Sequence, residues 1–224
     1  MTSTSQPAQR ADARRNREKL LSAAVAAFSE STDEVTLEAI AKRAGVGIGT
    51  LYRNFPTRDA LVAAAYRHEV ERLCDAVGQL LEDEAPDDAL RHWMERFVEY
   101  AATKRGMAAA LQSVVNADSR FYADTYAQIV AALTSLLQAG IDAGTIRPDA
   151  DAEDVLRAMR GAWLVTDEQH RQDLAGRLLD LLMDGLRYGA HRLSLAGGNR
   201  SGSASRWSVP DGQVTVGSNP ASIS

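Results

Sequence analysis

The stretch from Thr36 to Asp59, reading TLEAIAKRAGVGIGTLYRNFPTRD, constrains the chain more than any other, because it spells two short helices around a glycine turn. Leu37, Ile40, Ala41 and Ala44 recur at i, i+3, i+4 and i+7, which makes a single apolar stripe on a helix. Thr36 stands where a hydroxyl can cap the helix start, and Glu38 stands in the first turn, where the helix dipole favours an anion. Gly45 follows, at a position where left-handed backbone costs a residue with a Cβ about 1 kcal/mol or more. A second short helix runs through Gly49, Thr50, Leu51, Tyr52, Arg53 and Asn54, with Leu51 and Phe55 four apart and pointing inward. Its other face is polar. Pro56 holds Phe55 out of the helical region, and Thr57 can cap the helix that begins at Arg58. Two short helices meeting at a tight turn have the layout of a helix-turn-helix DNA reader.

Helical periodicity extends over nearly every segment before Ser194, proline is sparse, and the expected class is all-α. The spacing predicts a long helix from about Arg58 to Leu81, a lever between the DNA reader and a helical body. Pro86 marks a loop, and Asp87 or Asp88 can cap a helix carrying Leu90, Trp93, Phe97 and Tyr100. Gly106 breaks that pattern. A shorter helix through Met107 and Leu111 follows, and Asp118 or Ser119 then starts a longer one that Gly140, Gly144 and Pro148 close. Two last helices, Ala152 to His170 and Asp173 to Arg192, carry broad apolar faces: Val155, Leu156, Met159 and Trp163, then Leu178, Leu181, Leu182 and Leu186. Such adjacent faces suggest a subunit interface, a four-helix bundle about a two-fold axis. The expected organisation is a disordered arm over 1–9, a three-helix DNA-binding domain over 10–57, a helical body over 58–193 and a disordered Gly/Ser-rich tail over 194–224.

Charge distribution agrees with DNA binding although the net charge is −5. Arg10, Arg14, Arg15, Arg17 and Lys19 crowd the N-terminal arm and first helix, Lys42, Arg43, Arg53 and Arg58 dot the helix-turn-helix, and the acidic excess lies downstream in EDEAPDD and DADAED. A basic end and an acidic body orient a molecule on DNA. The chain has no apolar run of about 18 residues, and its polar, charged N-terminus is unlike a signal peptide. No membrane and a cytoplasmic location are expected. The single cysteine, Cys74, has no partner for a disulfide or a thiolate zinc cage. HEVER, from His68 to Arg72, has arginine where a zincin needs its second histidine; Asp167 and His170 form a lone pair; and GVGIG lies between two helices rather than after a strand. No catalytic residue, metal site or cofactor is expected, and the chain does not read as an enzyme.

The run AGVGIGTLYRNFPTRDAL, from Ala44 to Leu61, resembles the turn and recognition helix of the TetR family of transcriptional regulators. The likeness extends upstream through Leu21, Val25 and Phe28 and downstream to about Leu81, roughly the first third of the chain. Where many members carry serine and a polar or basic residue at the start of the recognition helix, this chain has Gly47 and Ile48. The resemblance implies that DNA is met by Thr36, Gly47, Gly49, Thr50, Tyr52, Arg53, Asn54 and Arg58. Thr50, Tyr52 and Arg53 would reach base edges, Gly49 would let the backbone approach closely, and Thr36 and Arg58 would grip phosphate at helix starts. Asn54 can reach a phosphate or cap its own helix. The resemblance further implies a homodimer through the last two helices, a palindromic operator in double-stranded DNA, and a small-molecule effector held in the body, whose binding releases DNA. Trp93, Phe97, Tyr100, Met107, Tyr122, Tyr126 and Trp163 are the aromatic and methionine positions that can line such a cavity, although their spacing equally suits an ordinary core. A hydrophobic effector fits those residues; an acid would suit Arg96, Lys104, Arg105, Arg120 or Arg160 equally well. The expected function is a transcriptional repressor. An activator, a repressor without an effector, and a helical small-molecule binder with a vestigial DNA reader are the alternatives.

Overall fold

The computed structural model describes residues 5–30, 35–118, 120–163 and 171–190, with backbone alone at 5–9, 161–163 and 171–172. The tail over 194–224 with Trp207, the Asp167 and His170 pair, Ser119 and the side chain of Trp163 lie outside the described residues. Among those described, every element is helical: α1 (Ser5–Glu30), α2 (Leu37–Ala44), α3 (Ile48–Asn54), α4 (Arg58–Asp83), α5 (Pro86–Gly106), α6 (Ala108–Ala117), α7 (Phe121–Asp142), α8 (Ala152–Trp163) and α9 (Arg171–Arg187).

Local chemistry sets the boundaries of the first four. The Thr36 hydroxyl accepts from the Ala39 N–H at 3.2 Å and starts α2, and Thr57 does the same for α4, accepting from Ala60 at 3.1 Å. Gly45 ends α2 with φ +64°, the left-handed conformation that its lack of a Cβ makes cheap. The Phe55 N–H closes α3 on the Leu51 carbonyl at 2.8 Å. Two expectations are corrected. Residues 5–9 belong to α1 rather than to a disordered arm. Pro86 is the first residue of α5 rather than a loop residue, a position that needs no N–H donor, and no side chain caps that helix.

Leu20, Leu21, Ala24 and Phe28 of α1 meet Ile40 and Ala41 of α2, Leu51 of α3 and Phe55 in a small three-helix head. Leu61, Val62 and Ala65 of α4 extend this core without interruption into the body, where α4 packs on α5, α6 and α7. Trp93 is fully buried, and its indole N–H donates to the Leu73 carbonyl at 2.9 Å, tying α5 to α4. At the far end, Arg187 of α9 reaches Asp87 in the first turn of α5 at 2.6 Å, and Arg91 of α5 donates to Asp180 of α9 at 2.9 Å.

Head and body also touch outside α4. A Cβ at Gly106 would lie 2.8 Å from the Ser29 Cα, so only glycine allows the end of α5 to rest on the backbone of α1. The Ser113 hydroxyl of α6 donates to Asp59, in the first turn of α4, at 2.8 Å. Head position is thereby linked to α5 and α6 as well as to α4.

Candidate DNA interface and effector cavity

The outer surface of the head is organised around α3. Leu51 and Phe55 are buried, which turns Ile48, Gly49, Tyr52 and Arg53 outward. Ile48 and Tyr52 lie one turn apart and remain 38% and 45% exposed, an unusual display of large apolar surface on so short a helix. Arg53 donates to the Thr50 hydroxyl at 2.9 Å, so these two side chains form one unit. The Asn54 amide donates to the Thr50 carbonyl at 2.8 Å and thus caps its own helix. Gly47 caps α3 without a side-chain hydrogen bond, and both Gly47 and Gly49 are exposed.

The flanking cations divide into two groups. Lys42, in the last turn of α2, and Arg10 and Lys19 of α1 are exposed. Arg43 instead forms a fork with Glu30 at 2.7 and 2.9 Å that pins α2 to the end of α1, and this guanidinium holds the Glu30 carboxyl below its ordinary range. Arg17 lies over the Phe55 ring. Arg58 stacks on Phe28 at 5.1 Å with its Nε buried and without a hydrogen-bond partner, so the structure packs this residue into the head rather than displaying it beside α3. Thr36 is exposed, and its hydroxyl proton stays free for an outside acceptor while its oxygen caps α2.

A second concavity opens in the body between α4, α5, α7 and α8, with a volume of about 490 Å³. That lies within the range of small-molecule sites. Four of the seven effector positions meet there: Phe97, Tyr100, Tyr122 and Tyr126. Trp93 and Met107 are fully buried and lie outside its wall. Tyr66 of α4 and Thr125 of α7 complete the polar lining, and neither stands out in the sequence because each continues an apolar helical stripe. The Tyr66 and Tyr100 hydroxyls share a 2.6 Å hydrogen bond. Burial first, and then Tyr66, raise the Tyr100 phenol far above its ordinary range, and burial raises Tyr122 as well. These phenols therefore remain neutral at physiological pH and serve as donors.

Lys104 and Arg160 lie in the same wall. The Lys104 ammonium sits 4.3 Å from the Tyr122 ring centroid, and the Arg160 guanidinium 5.0 Å from that of Tyr126. Cys74 lies elsewhere on α4, its thiol pushed up to about 11 by burial and by Asp75, which leaves it protonated and unreactive.

A third surface faces outward from α8 and α9. Ala175, Leu179, Met183 and Leu186 turn inward, whereas Leu181 is 67% exposed. An apolar groove follows, lined by Val155, Ala158, Leu178, Leu181, Leu182 and Gly185. The inward set differs from the stripe expected from spacing, because α9 is apolar on two sides.

Residues 20–65 match the family model described as bacterial regulatory proteins, tetR family, and residues 85–188 match that of the Transcriptional regulator SbtR-like C-terminal domain. The crystal structure of a TetR transcriptional regulator from Streptomyces coelicolor is 50% identical, with a TM-score of 0.72 over 76% of this chain and 98% of that one. A TetR transcription regulatory protein from Mycobacterium vanbaalenii is 35% identical, with a TM-score of 0.66 over 80% and 99% of the two chains. The HTH-type transcriptional repressor KstR of Mycolicibacterium smegmatis is 41% identical over 61 residues, which are 27% of this chain and 30% of that relative.

Proposed function

Given that the chain belongs to the TetR family of DNA-binding transcriptional regulators, we propose that it is a repressor that leaves its operator when a small molecule enters the body cavity. One observation carries this reading. The cavity wall and the DNA-reading head share α4: Tyr66 lines the cavity only eight residues from Arg58, about 12 Å along the helix. A ligand that moves Tyr66 must carry the head with it, because the core is continuous from α1 to α7.

The coupling is a free energy shared by two sites. An effector that prefers the conformation with misplaced recognition helices weakens DNA binding, and DNA weakens effector binding by the same factor. The Ser113 to Asp59 hydrogen bond and the Gly106 contact with Ser29 add two further attachments between body and head. Repression rather than activation is favoured by the likeness to a transcriptional repressor over 61 residues.

The groove between α8 and α9 is the surface for a second copy. Leu181 and its neighbours leave an apolar face uncovered on one chain, and the same face on a two-fold partner would cover it. Two recognition helices then require a palindrome, with half-sites about 34 to 36 Å apart or a multiple of that spacing. In each half-site, Ile48, Thr50, Tyr52 and Arg53 read base edges and Thr36 holds phosphate. No helix of the described residues is long and apolar enough to cross a membrane.

The test is footprinting on the duplex that the protein selects, with and without extracts that release it. A symmetric footprint, lost together with transcriptional repression when the inducing compound is added, is the expected result. A compound that occupies the cavity without changing DNA affinity would contradict the repressor reading.

A further inference from the structure

The cavity carries its own signature of ligand charge. Twelve residues line it, two of them are cationic, and none is an aspartate or glutamate. Among the described residues, no carboxylate pairs with either Lys104 or Arg160, whereas Arg14, Arg15, Arg43, Arg72, Arg91, Arg147, Arg157 and Arg187 all have one. Each of the two cations rests instead on a tyrosine ring of α7, Lys104 on Tyr122 and Arg160 on Tyr126. These rings stand four residues apart, about 6 Å along the helix axis. One turn apart, the two rings lie on the same face of α7, so both cations approach the cavity from that face.

A place in the last turn of α5 would alone explain a cation at position 104, since the C-terminal end of a helix favours positive charge. Arg160 likewise stands in the last turn of α8, so the dipole favours each cation on its own helix; it does not bring the two helix ends into the wall of one cavity that holds no carboxylate. The remaining wall includes Phe97, Ala101, Ile129 and Leu156 on the apolar side, and Thr125 with the Tyr66–Tyr100 hydroxyl pair on the polar side. In that pair one hydroxyl donates to the other, which leaves one proton to offer.

Resting on the effector reading above, we propose that the ligand is an organic acid: a carboxylate held between Lys104 and Arg160, with an aromatic or alkyl body lying against Phe97, Ile129 and Leu156. Burial raises the Tyr100 and Tyr122 phenols, which disfavours negative charge on either beside the anion.

The experiment uses the full chain and matched probes: 3-phenylpropanoate and 5-phenylpentanoate, their primary amides, and the corresponding phenylalkylamines, titrated by calorimetry. The carboxylates should bind at least about tenfold more tightly than the amides, and the amines should bind least. Lys104→Met and Arg160→Met should each abolish most of the acid's advantage over its amide. Lys104→Arg should retain it. Amides or amines that bind as well as the acids would overturn the acid assignment and leave the effector cavity standing. Failure of all three classes to bind would overturn both.

Discussion

At the scale of the residue, the DNA-reading surface divides into side chains committed to the protein and side chains left for a partner. Asn54 and Arg43 are committed, one to the Thr50 carbonyl and the other to Glu30. Ile48 and Tyr52 have no such role and remain exposed on α3. Ile48 is apolar and exposed at the start of α3, and its branched chain suits contact with a thymine methyl. Ile48→Ala should therefore cost about 1 to 3 kcal/mol at one base-pair position and little elsewhere, as measured by competition among operator variants. Lys42→Ala should instead weaken all duplexes alike and reduce the salt slope by about 1. The Glu30 and Arg43 fork makes a prediction with a definite sign. Because Arg43 lowers the Glu30 pKa, the pair stabilises the folded head above the unfolded carboxylate range and loses that contribution as pH falls through the lowered value. Glu30→Gln should be less stable than the parent in urea at pH 7, and the difference should shrink as pH falls below the unfolded carboxylate range.

At the scale of the element, the helix-turn-helix was far more legible than the cavity. Thr36, Gly45, Pro56 and Thr57 act through their own backbone neighbours, so their cap and turn chemistry could be read from adjacent residues, and the structure has all four boundaries there. The cavity depends on which helices pack together. Trp93 and Tyr100 lie on one apolar stripe of α5, yet Trp93 turns into α4 and bonds Leu73 while Tyr100 reaches the cavity. Tyr66 and Arg160 join them from helices remote in sequence, a convergence that periodicity does not encode. Likewise α9 presents Leu179 and Met183 inward and Leu181 outward, because a helix apolar on two sides offers no single stripe to assign. Gly106 acts through a close approach to Ser29 that only the folded chain reveals. Gly106→Ala should push α5 from the end of α1 and cost about 1 to 3 kcal/mol in unfolding free energy. Ser113→Ala removes only the hydroxyl that holds Asp59 and should reduce the effect of effector on DNA affinity more than it reduces stability. Fluorescence anisotropy of a labelled operator, with and without ligand, separates these outcomes.

At the scale of the whole molecule, the account joins three surfaces: a DNA-reading head, a cavity in the body and an apolar groove between α8 and α9. The head and the cavity are linked inside one chain by α4, and in the proposed dimer the groove would double the head. Leu181→Asp places a charge on the groove, and light scattering should show a monomer. The monomer should lose affinity for a full palindrome far more than for a half-site. The central claim, that this regulator reads a specific palindrome, is tested most directly by selecting from random duplexes and titrating the enriched site against scrambled DNA at two salt concentrations. The account predicts a two-fold symmetric site bound at least about a thousandfold more tightly than scrambled DNA. Equal, salt-sensitive binding to every duplex would contradict it.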